Sequence, residues 1–227
     1  MAPQAERTPS SARPSAVLVP LALGDWVDEF TDVQAQANGF PLHETAARRG
    51  MIASHTDEPG IRSVGAFNVD RLVGFAFGAP FDTRWSWAAR MTDALAANRN
   101  WAAYGAPFWL LEIHVVPGLW RQKIGTRLLA ELLSTASDQW IGLTRLASAH
   151  RARQFYERAG FCDLPTVPAP PGYVVMGAPP VTQRVPDTFC GDGSRTIGTA
   201  SAFAKPSPRR LLQRGAVSAA ETTRRQT

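Results

Sequence analysis

The sequence is poor in cysteine and lacks long apolar runs, and each absence excludes a class of protein. Its two cysteines, Cys162 and Cys190, offer neither the ligand spacing of a metal site nor a disulfide framework. We therefore expect no metal and a reducing compartment, the cytoplasm. No apolar stretch approaches the roughly 20 residues that a membrane-spanning helix needs, so we expect no membrane association.

The formal charge of +5 is confined to the C-terminal end of the chain. Eight of the 24 basic residues and three of the 19 acidic residues follow residue 179, so the rest of the chain carries sixteen of each sign. Only two aromatic residues, Phe189 and Phe203, are interleaved with the C-terminal basic residues. A solvated tail explains this pattern better than a nucleic-acid interface does, and we do not expect nucleic acid as a partner.

Composition divides the chain into three parts. Residues 1–14 are polar and rich in proline, which predicts a disordered leader. Residues 181–227 have no apolar periodicity and few large apolar side chains, which predicts a disordered basic tail. Periodic apolar patterns are confined to residues 15–180, and we expect these to form one domain.

Within that domain the patterns predict the order β, α, α, β, β, β, α, β, α, β, β, which is typical of an α/β fold with a mixed sheet of the α+β kind. The predicted strands cover residues 16–21, 63–69, 71–77, 108–116, 140–146, 161–164 and 173–176. The four predicted helices cover residues 25–39, 42–49, 124–136 and 150–159, and residues 91–98 are a candidate for a further short helix. Gly50 is expected to end the second helix.

The strongest pattern is a strand, a turn and a helix in the middle of the chain. An apolar run ends at Pro117-Gly118, and a short basic loop leads into an amphipathic helix that begins at Ile124. Loop amides and a helix N-terminus that point at one place bind phosphate without needing a particular side chain. Neither the P-loop pattern G-x-x-x-x-G-K-S/T nor the dinucleotide fingerprint G-x-G-x-x-G is present, so these two nucleotide sites are excluded.

This segment resembles the first signature of the GCN5-related N-acetyltransferase (GNAT) family, V-x-P-x-x-Q/R-x-x-G-x-G/A. The residues in register with it are Val115, Pro117, Ile124 and Gly125. Trp120 stands where Gln or Arg is usual, and Lys123 stands where the first Gly is usual. Glycine at that position permits a close backbone approach or a positive φ, which Lys123 does not favour.

Two further segments strengthen the resemblance. Residues 152–161 are similar to the family pattern A-x-x-F/L-Y-x-x-x-G-F, one strand further along the chain. The hairpin of residues 70–78 is similar to the family's second and third strands. The resemblance covers about residues 16–179 and implies the GNAT fold, a central mixed β-sheet flanked by helices.

The resemblance implies acetyl-CoA as co-substrate and no metal. In the family the central strand separates from its neighbour at a bulge, and the pantetheine arm pairs in the gap. The positions that correspond to the pantetheine contacts are Ile113, His114, Val115 and Val116. The positions that correspond to the pyrophosphate contacts are Arg121, Gln122, Lys123, Ile124, Gly125 and Thr126.

The implied chemistry is direct attack of a primary amine on the thioester in a ternary complex. Tyr156 matches the family's general acid, and the backbone N–H of Val115 or Val116 is the candidate oxyanion donor. Glu112 is the candidate base and His114 a weaker second candidate. Each side chain also has an ordinary structural interpretation, as a core tyrosine, a solvent-facing carboxylate and a satisfied histidine.

The acceptor has no recognisable signature, so both small-molecule and protein amines stay open. The aromatic residues Phe81, Trp85 and Trp87 either line an acceptor pocket or fill the core. Because Trp120 and Lys123 depart from the family pattern, a catalytically weak acyl-CoA-binding module with a regulatory role is the alternative to an acyltransferase. Oligomeric state is also open, and a homodimer is compatible with the sequence.

Overall fold

The computed structural model describes residues 16–85, 88, 91–92, 106–165 and 167–180. All of them lie in one compact unit, Met1–Cys190. The predicted leader, the predicted tail, Trp87 and most of the helix predicted over residues 91–98 fall outside the described residues.

The described chain contains seven strands and four α-helices in the predicted order. The strands are β1 (Val17–Leu21), β2 (Arg62–Asn68), β3 (Arg71–Pro80), β4 (Phe108–Val115), β5 (Ile141–Leu146), β6 (Cys162–Asp163) and β7 (Tyr173–Ala178). The helices are α1 (Val27–Asn38), α2 (Leu42–Ala53), α3 (Ile124–Ser134) and α4 (His150–Arg158). Two 3₁₀ turns, Leu23–Trp26 and Pro117–Leu119, precede α1 and follow β4.

The seven strands form one mixed sheet in the order β1-β2-β3-β4-β5-β7-β6. Every neighbouring pair is antiparallel except β4 and β5, which are parallel. A parallel pair needs a crossover connection, and α3 supplies it. This arrangement confirms the mixed α/β sheet flanked by helices.

Helices cover both faces of the sheet because each face carries its own apolar cluster. The four leucines of α3 that point inward, Leu128, Leu129, Leu132 and Leu133, are at most 3% exposed and pack with α4 on one face. On the other face Phe30 of α1 stacks on Phe75 of β3 with ring centroids 4.2 Å apart. Each such buried side chain contributes roughly 1.5–3 kcal/mol of transfer free energy.

Two expectations from the sequence are wrong. Gly50 does not end α2, which continues to Ala53 because Ile52 is fully buried against α1 and the sheet. Burial of Ile52 thus outweighs the roughly 1 kcal/mol that glycine costs within a helix. Cys162 is disulfide-bonded, so the argument from the cysteines for a reducing compartment does not hold.

Candidate functional site

The strand β4 changes its surroundings halfway along its length. Its first three residues pair with β3 on one side and with β5 on the other, and the last pair with β5 is Leu110 with Leu143. Beyond that point β4 continues along β3 only, whereas β5 continues along β7. A gap therefore opens between two strands that are neighbours at their other ends.

A buried ion pair holds β5 on the far side of this gap. The Arg145 guanidinium of β5 donates to both carboxylate oxygens of Asp163 in β6, at 3.0 and 3.1 Å. The Arg145 side chain is only 4% exposed and that of Asp163 is 31% exposed, so the pair is partly shielded from water. Removing one partner of such a pair is costly, which fixes the second half of β5 to β6 and β7 rather than to β4.

A β-bulge lies where the gap begins. The register with β3 passes from Leu110 opposite Gly78 to Glu112 opposite Phe77, so Leu111 is the extra residue. One extra residue moves every later side chain to the opposite face of the sheet. Phe108 and Leu110 face α3, but Glu112 and His114 face α1, although all four have even numbers.

The free edge of β4 presents a short row of backbone polar groups. The Val116 N–H donates to Val73 O at 3.0 Å, and the His114 carbonyl oxygen also faces β3. Because backbone groups alternate along a strand, the N–H and C=O of Ile113 and Val115 face the gap. Val116 offers nothing to the gap, since its carbonyl accepts the Leu119 N–H at 3.0 Å.

Trp120 occupies one acceptor of that edge. Its indole Nε1–H donates to the Val115 carbonyl oxygen at 2.7 Å, and the side chain is 47% exposed. The free groups of the edge are therefore the Ile113 N–H, the Ile113 C=O and the Val115 N–H. The sequence marked Trp120 as a departure from the family pattern but gave no sign of this contact.

The loop after β4 presents a run of unpaired amides. Among the described residues, the backbone N–H groups of Arg121 to Thr126 have no hydrogen-bond acceptor. The last three belong to the first turn of α3, where helix geometry leaves amides free. With the partial positive charge of the helix N-terminus and the exposed Arg121 and Lys123, the loop is suited to an anion such as a diphosphate.

Lys123 adopts a left-handed conformation that glycine accommodates more easily. It caps α3 in the left-handed region with φ 59° and ψ 12°, and Arg121 also has a positive φ of 65°. A non-glycine residue pays about 1–2 kcal/mol for this conformation. The next residue, Ile124, is buried in the core and anchors the end of the loop. The loop therefore keeps its turn without the glycine.

Glu112 and His114 form a close pair at the α1 face of β4. His114 Nε2 lies 2.6 Å from Glu112 Oε2, and the two side chains are 17% and 21% exposed. Two residues of α1 approach the same ring: Gln34 Nε2 lies 3.4 Å from His114 Nε2, and Asn38 Nδ2 lies 3.4 Å from His114 Nδ1. Both predicted base candidates thus lie in one hydrogen-bonded cluster.

Tyr156 lies in the main core, on the α3 side of the sheet. Its ring packs against Phe155 and Phe161, with centroids 5.1 and 5.7 Å away. Burial raises the pKa of the Tyr156 hydroxyl well above its ordinary value, and the charge of Glu112 raises it further. The structure therefore brings Tyr156 within electrostatic range of Glu112 and keeps its phenol protonated.

His55, just after α2, lies near Glu112 on the α1 face of the sheet. The sequence patterns did not single it out. Burial lowers its pKa, against the opposing charges of Glu58 and Glu112, and its Nδ1 has no partner among the described residues. Its ring packs on Phe77 and on Trp85, whose indole donates to Glu58 at 2.8 Å. No local pattern could have identified it, because its neighbours come from distant strands and loops.

The two described members of the predicted aromatic cluster, Phe81 and Trp85, belong to the core. Trp85 is 7% exposed and packs with Phe81 and Trp109 at one end of the sheet. Within the described part of the chain, no three His, Cys, Asp or Glu side chains are placed to hold a metal ion. None of the helices seen there combines the length and the apolar character that crossing a membrane requires.

Solved structures share this architecture. The PaiA N-acetyltransferase from Thermoplasma acidophilum, in complex with coenzyme A, is 15% identical with a TM-score of 0.52, covering 73% of this chain and 99% of its own. The ribosomal-protein-S18-alanine N-acetyltransferase from Escherichia coli is 17% identical with a TM-score of 0.51, covering 77% and 99%. At these identities the likeness concerns the fold.

The sequence itself also identifies the family. A model described as the acetyltransferase (GNAT) family matches residues 25–161, which include the hairpin, β4, the amide loop and α4. No curated protein matches the sequence. Since the matched region exceeds half of the chain and contains both the separated strand and the loop, the protein belongs to the acetyltransferase (GNAT) family.

Proposed function

We propose that this protein transfers the acetyl group of acetyl-CoA to a primary amine by direct attack in a ternary complex. The observation that carries the proposal is the gap between β4 and β5 beyond Leu110, beside a loop of unpaired amides. An extended amide-bearing arm can add to an open strand edge as an extra strand would, while a diphosphate binds the loop.

The backbone supplies most of the contacts for acetyl-CoA in this proposal. The free N–H and C=O of Ile113 pair with the pantetheine arm, the Val115 N–H is left for the thioester carbonyl, and His114 and Val116 contribute position rather than hydrogen bonds. The diphosphate lies against the amides of Arg121, Gln122, Lys123, Ile124, Gly125 and Thr126. A Cβ on Gly125 would come no closer than 3.7 Å to Phe155, so this glycine leaves room near the loop.

Two side chains and one backbone N–H have separate roles in the proposed reaction. The amine nitrogen attacks the thioester carbonyl carbon, and its proton passes to Glu112, directly or through water. The Val115 N–H stabilises the oxyanion, because the Val116 N–H is already bonded to Val73. When the carbon–sulfur bond breaks, Tyr156 gives its proton to the departing thiolate; its raised pKa keeps the phenol protonated until that step but also makes it a weaker acid.

Two observations favour a binding module as the second candidate. Trp120 covers an acceptor of the strand edge, and Lys123 holds the strained turn that glycine holds elsewhere in the family. A protein of this kind would hold acyl-CoA with little turnover and act through a partner. In both cases the amine or partner, whether small molecule or protein, approaches from the α1 face, where Glu112 and His55 lie.

A thiol-release assay with acetyl-CoA and a broad library of amines, including peptides, tests the proposal. We expect turnover with at least one amine, and a Tyr156→Phe variant with kcat lowered about 10²-fold and an unchanged fold. Leu119→Val, outside the catalytic set, is the control. Tight acetyl-CoA binding without turnover on any amine would establish the binding module instead, and absence of acetyl-CoA binding would overturn both.

A further inference from the structure

Asn38 of α1 lies at the edge of the site and has no role in the proposal above. Its side-chain nitrogen donates to the Gln34 carbonyl oxygen at 2.9 Å, one turn back in the same helix. This bond identifies the amide nitrogen, since an oxygen there would face another oxygen. The same nitrogen lies 3.4 Å from His114 Nδ1.

The orientation of Asn38 determines where His114 carries its proton. A donor facing Nδ1 requires a lone pair on Nδ1, so the ring proton belongs on Nε2. There it faces Glu112 Oε2 at 2.6 Å, the shortest contact of the cluster. An imidazolium would direct a second N–H at the Asn38 donor, so the neutral ring fits the surroundings.

Gln34 is consistent with this proton position. It is 2% exposed, its Nε2 lies 3.4 Å from His114 Nε2, and its Oε1 has no partner among the described residues. Two donors cannot face each other, so the amide is assigned with its oxygen towards the ring. That assignment gives the buried oxygen a partner and adds a second acceptor for the Nε2–H, while the amide nitrogen takes the position that has no partner among the described residues.

We propose that Asn38 is a positioning residue that fixes the Nε2-protonated tautomer of His114, which in turn holds the Glu112 carboxylate for proton abstraction. We call these three residues the Asn38 array. One carboxylate oxygen of Glu112 is bound by His114, and the other is left to receive the amine proton. This inference rests on the proposed function, in which Glu112 is the base.

Histidine tautomers can be measured without turnover, which separates the two proposals. In ¹⁵N-histidine-labelled protein at pH 8, we expect His114 to be protonated on Nε2. Loss of its signals in His114→Gln provides the assignment. In Asn38→Asp an acceptor replaces the donor, and we expect Nδ1 to become protonated. A wild-type ring protonated on Nδ1, or an unchanged tautomer in Asn38→Asp, would overturn the inference.

Kinetics test whether the tautomer matters for the reaction. We expect Asn38→Asp to lower kcat about tenfold, the scale of a misplaced catalytic group, with the KM for acetyl-CoA within about twofold. Gln36→Ala, an exposed α1 residue two positions earlier, is the control. His114→Gln keeps a donor towards Glu112 and is expected to retain more kcat than His114→Phe. Equal kcat in these two variants would contradict the array even if the enzyme is active.

Discussion

The two halves of β4 belong to one strand but have different physical roles. Phe108, Trp109 and Leu110 are at most 3% exposed and are paired on both sides. After the bulge at Leu111, the strand is paired on one side, is partly exposed and carries two ionisable side chains. The comparison teaches that the buried half fixes the position of the open half, whose free backbone groups are then available for binding.

The largest expected effect tests the buried half. Phe108→Ala removes a fully buried ring and should lower the free energy of unfolding by about 3–5 kcal/mol. Val115→Ala in the open half should cost less than about 1.5 kcal/mol. Urea denaturation of both variants measures the difference. Similar losses would show that the two halves are not distinct in stability.

Substitution of two glycines, Gly78 and Gly125, tests the same difference between the buried and the open half of β4. In Gly78→Ala the added Cβ would collide with the Trp109 carbonyl oxygen and lie 2.7 Å from the Phe108 ring, so we expect a loss of about 1–3 kcal/mol. In Gly125→Ala the Cβ meets the Phe155 ring at 3.7 Å and Val115 Cγ2 at 3.8 Å, both ordinary van der Waals contacts. A gain of up to about 1 kcal/mol is expected there from the higher helix propensity of alanine. Thermal unfolding of the pair checks this, and a destabilised Gly125→Ala would mean that the loop is tightly packed.

Lys123→Gly tests whether the loop that follows the open half of β4 is strained. Removing the side chain relieves the left-handed conformation, and the net gain after the greater unfolded-state freedom of glycine is about 0.5–1 kcal/mol. Gln122→Gly is the matched control, since Gln122 does not have a positive φ and should lose stability. Chemical denaturation reports both changes. If the two variants behave alike, Lys123 is not strained.

Trp120→Phe keeps an aromatic ring but removes the donor to the Val115 carbonyl oxygen. If the indole competes with the pantetheine arm, acetyl-CoA should bind about threefold more tightly, a change of roughly 0.6 kcal/mol. Trp26→Phe, which alters a tryptophan that packs on Phe67 away from the gap, is the control. Calorimetric titration measures both. Weaker binding by Trp120→Phe would assign the indole a supporting role.

The smallest expected effect is a pH dependence of the free energy of unfolding, caused by His55 at the α1 face of the sheet. Burial lowers the pKa of His55 in the folded state, so below its ordinary value of 6.5 the unfolded chain binds a proton that the folded protein does not. The free energy of unfolding should therefore fall as the pH drops below 6.5. His55→Leu should weaken this dependence, whereas His43→Leu, at an exposed position of α2, should not. Denaturation midpoints at pH 7.5 and 5.5 provide the test.

Much of the fold could be predicted from local patterns. The order of strands and helices and the amphipathic α3 were predicted correctly, because apolar periodicity reports directly which side chains face a core. The extent of α2 was not, since Gly50 is a local signal that burial of Ile52 overrides. The family resemblance predicted the separation of β4 from its neighbour at a bulge, which the register confirms.

The site could be predicted only in part. The motifs indicated the strand edge and the loop, and the roles assigned to Tyr156 and Glu112 stay predictions. The partners of His114 could not be predicted, because Gln34 and Asn38 lie 80 and 76 residues away in the chain. The Trp120 contact and the left-handed Lys123 depend on loop geometry for which the residue types give no signal.

Leu111 has a consequence that extends beyond its own packing. As the extra residue of the bulge, it decides which side of the sheet every later residue of β4 faces. If Leu111 paired as a regular strand residue instead of bulging, a carboxylate and an imidazole would face the leucines of α3. The chemistry of the protein thus depends as much on the residue spacing of this strand as on the identity of its side chains.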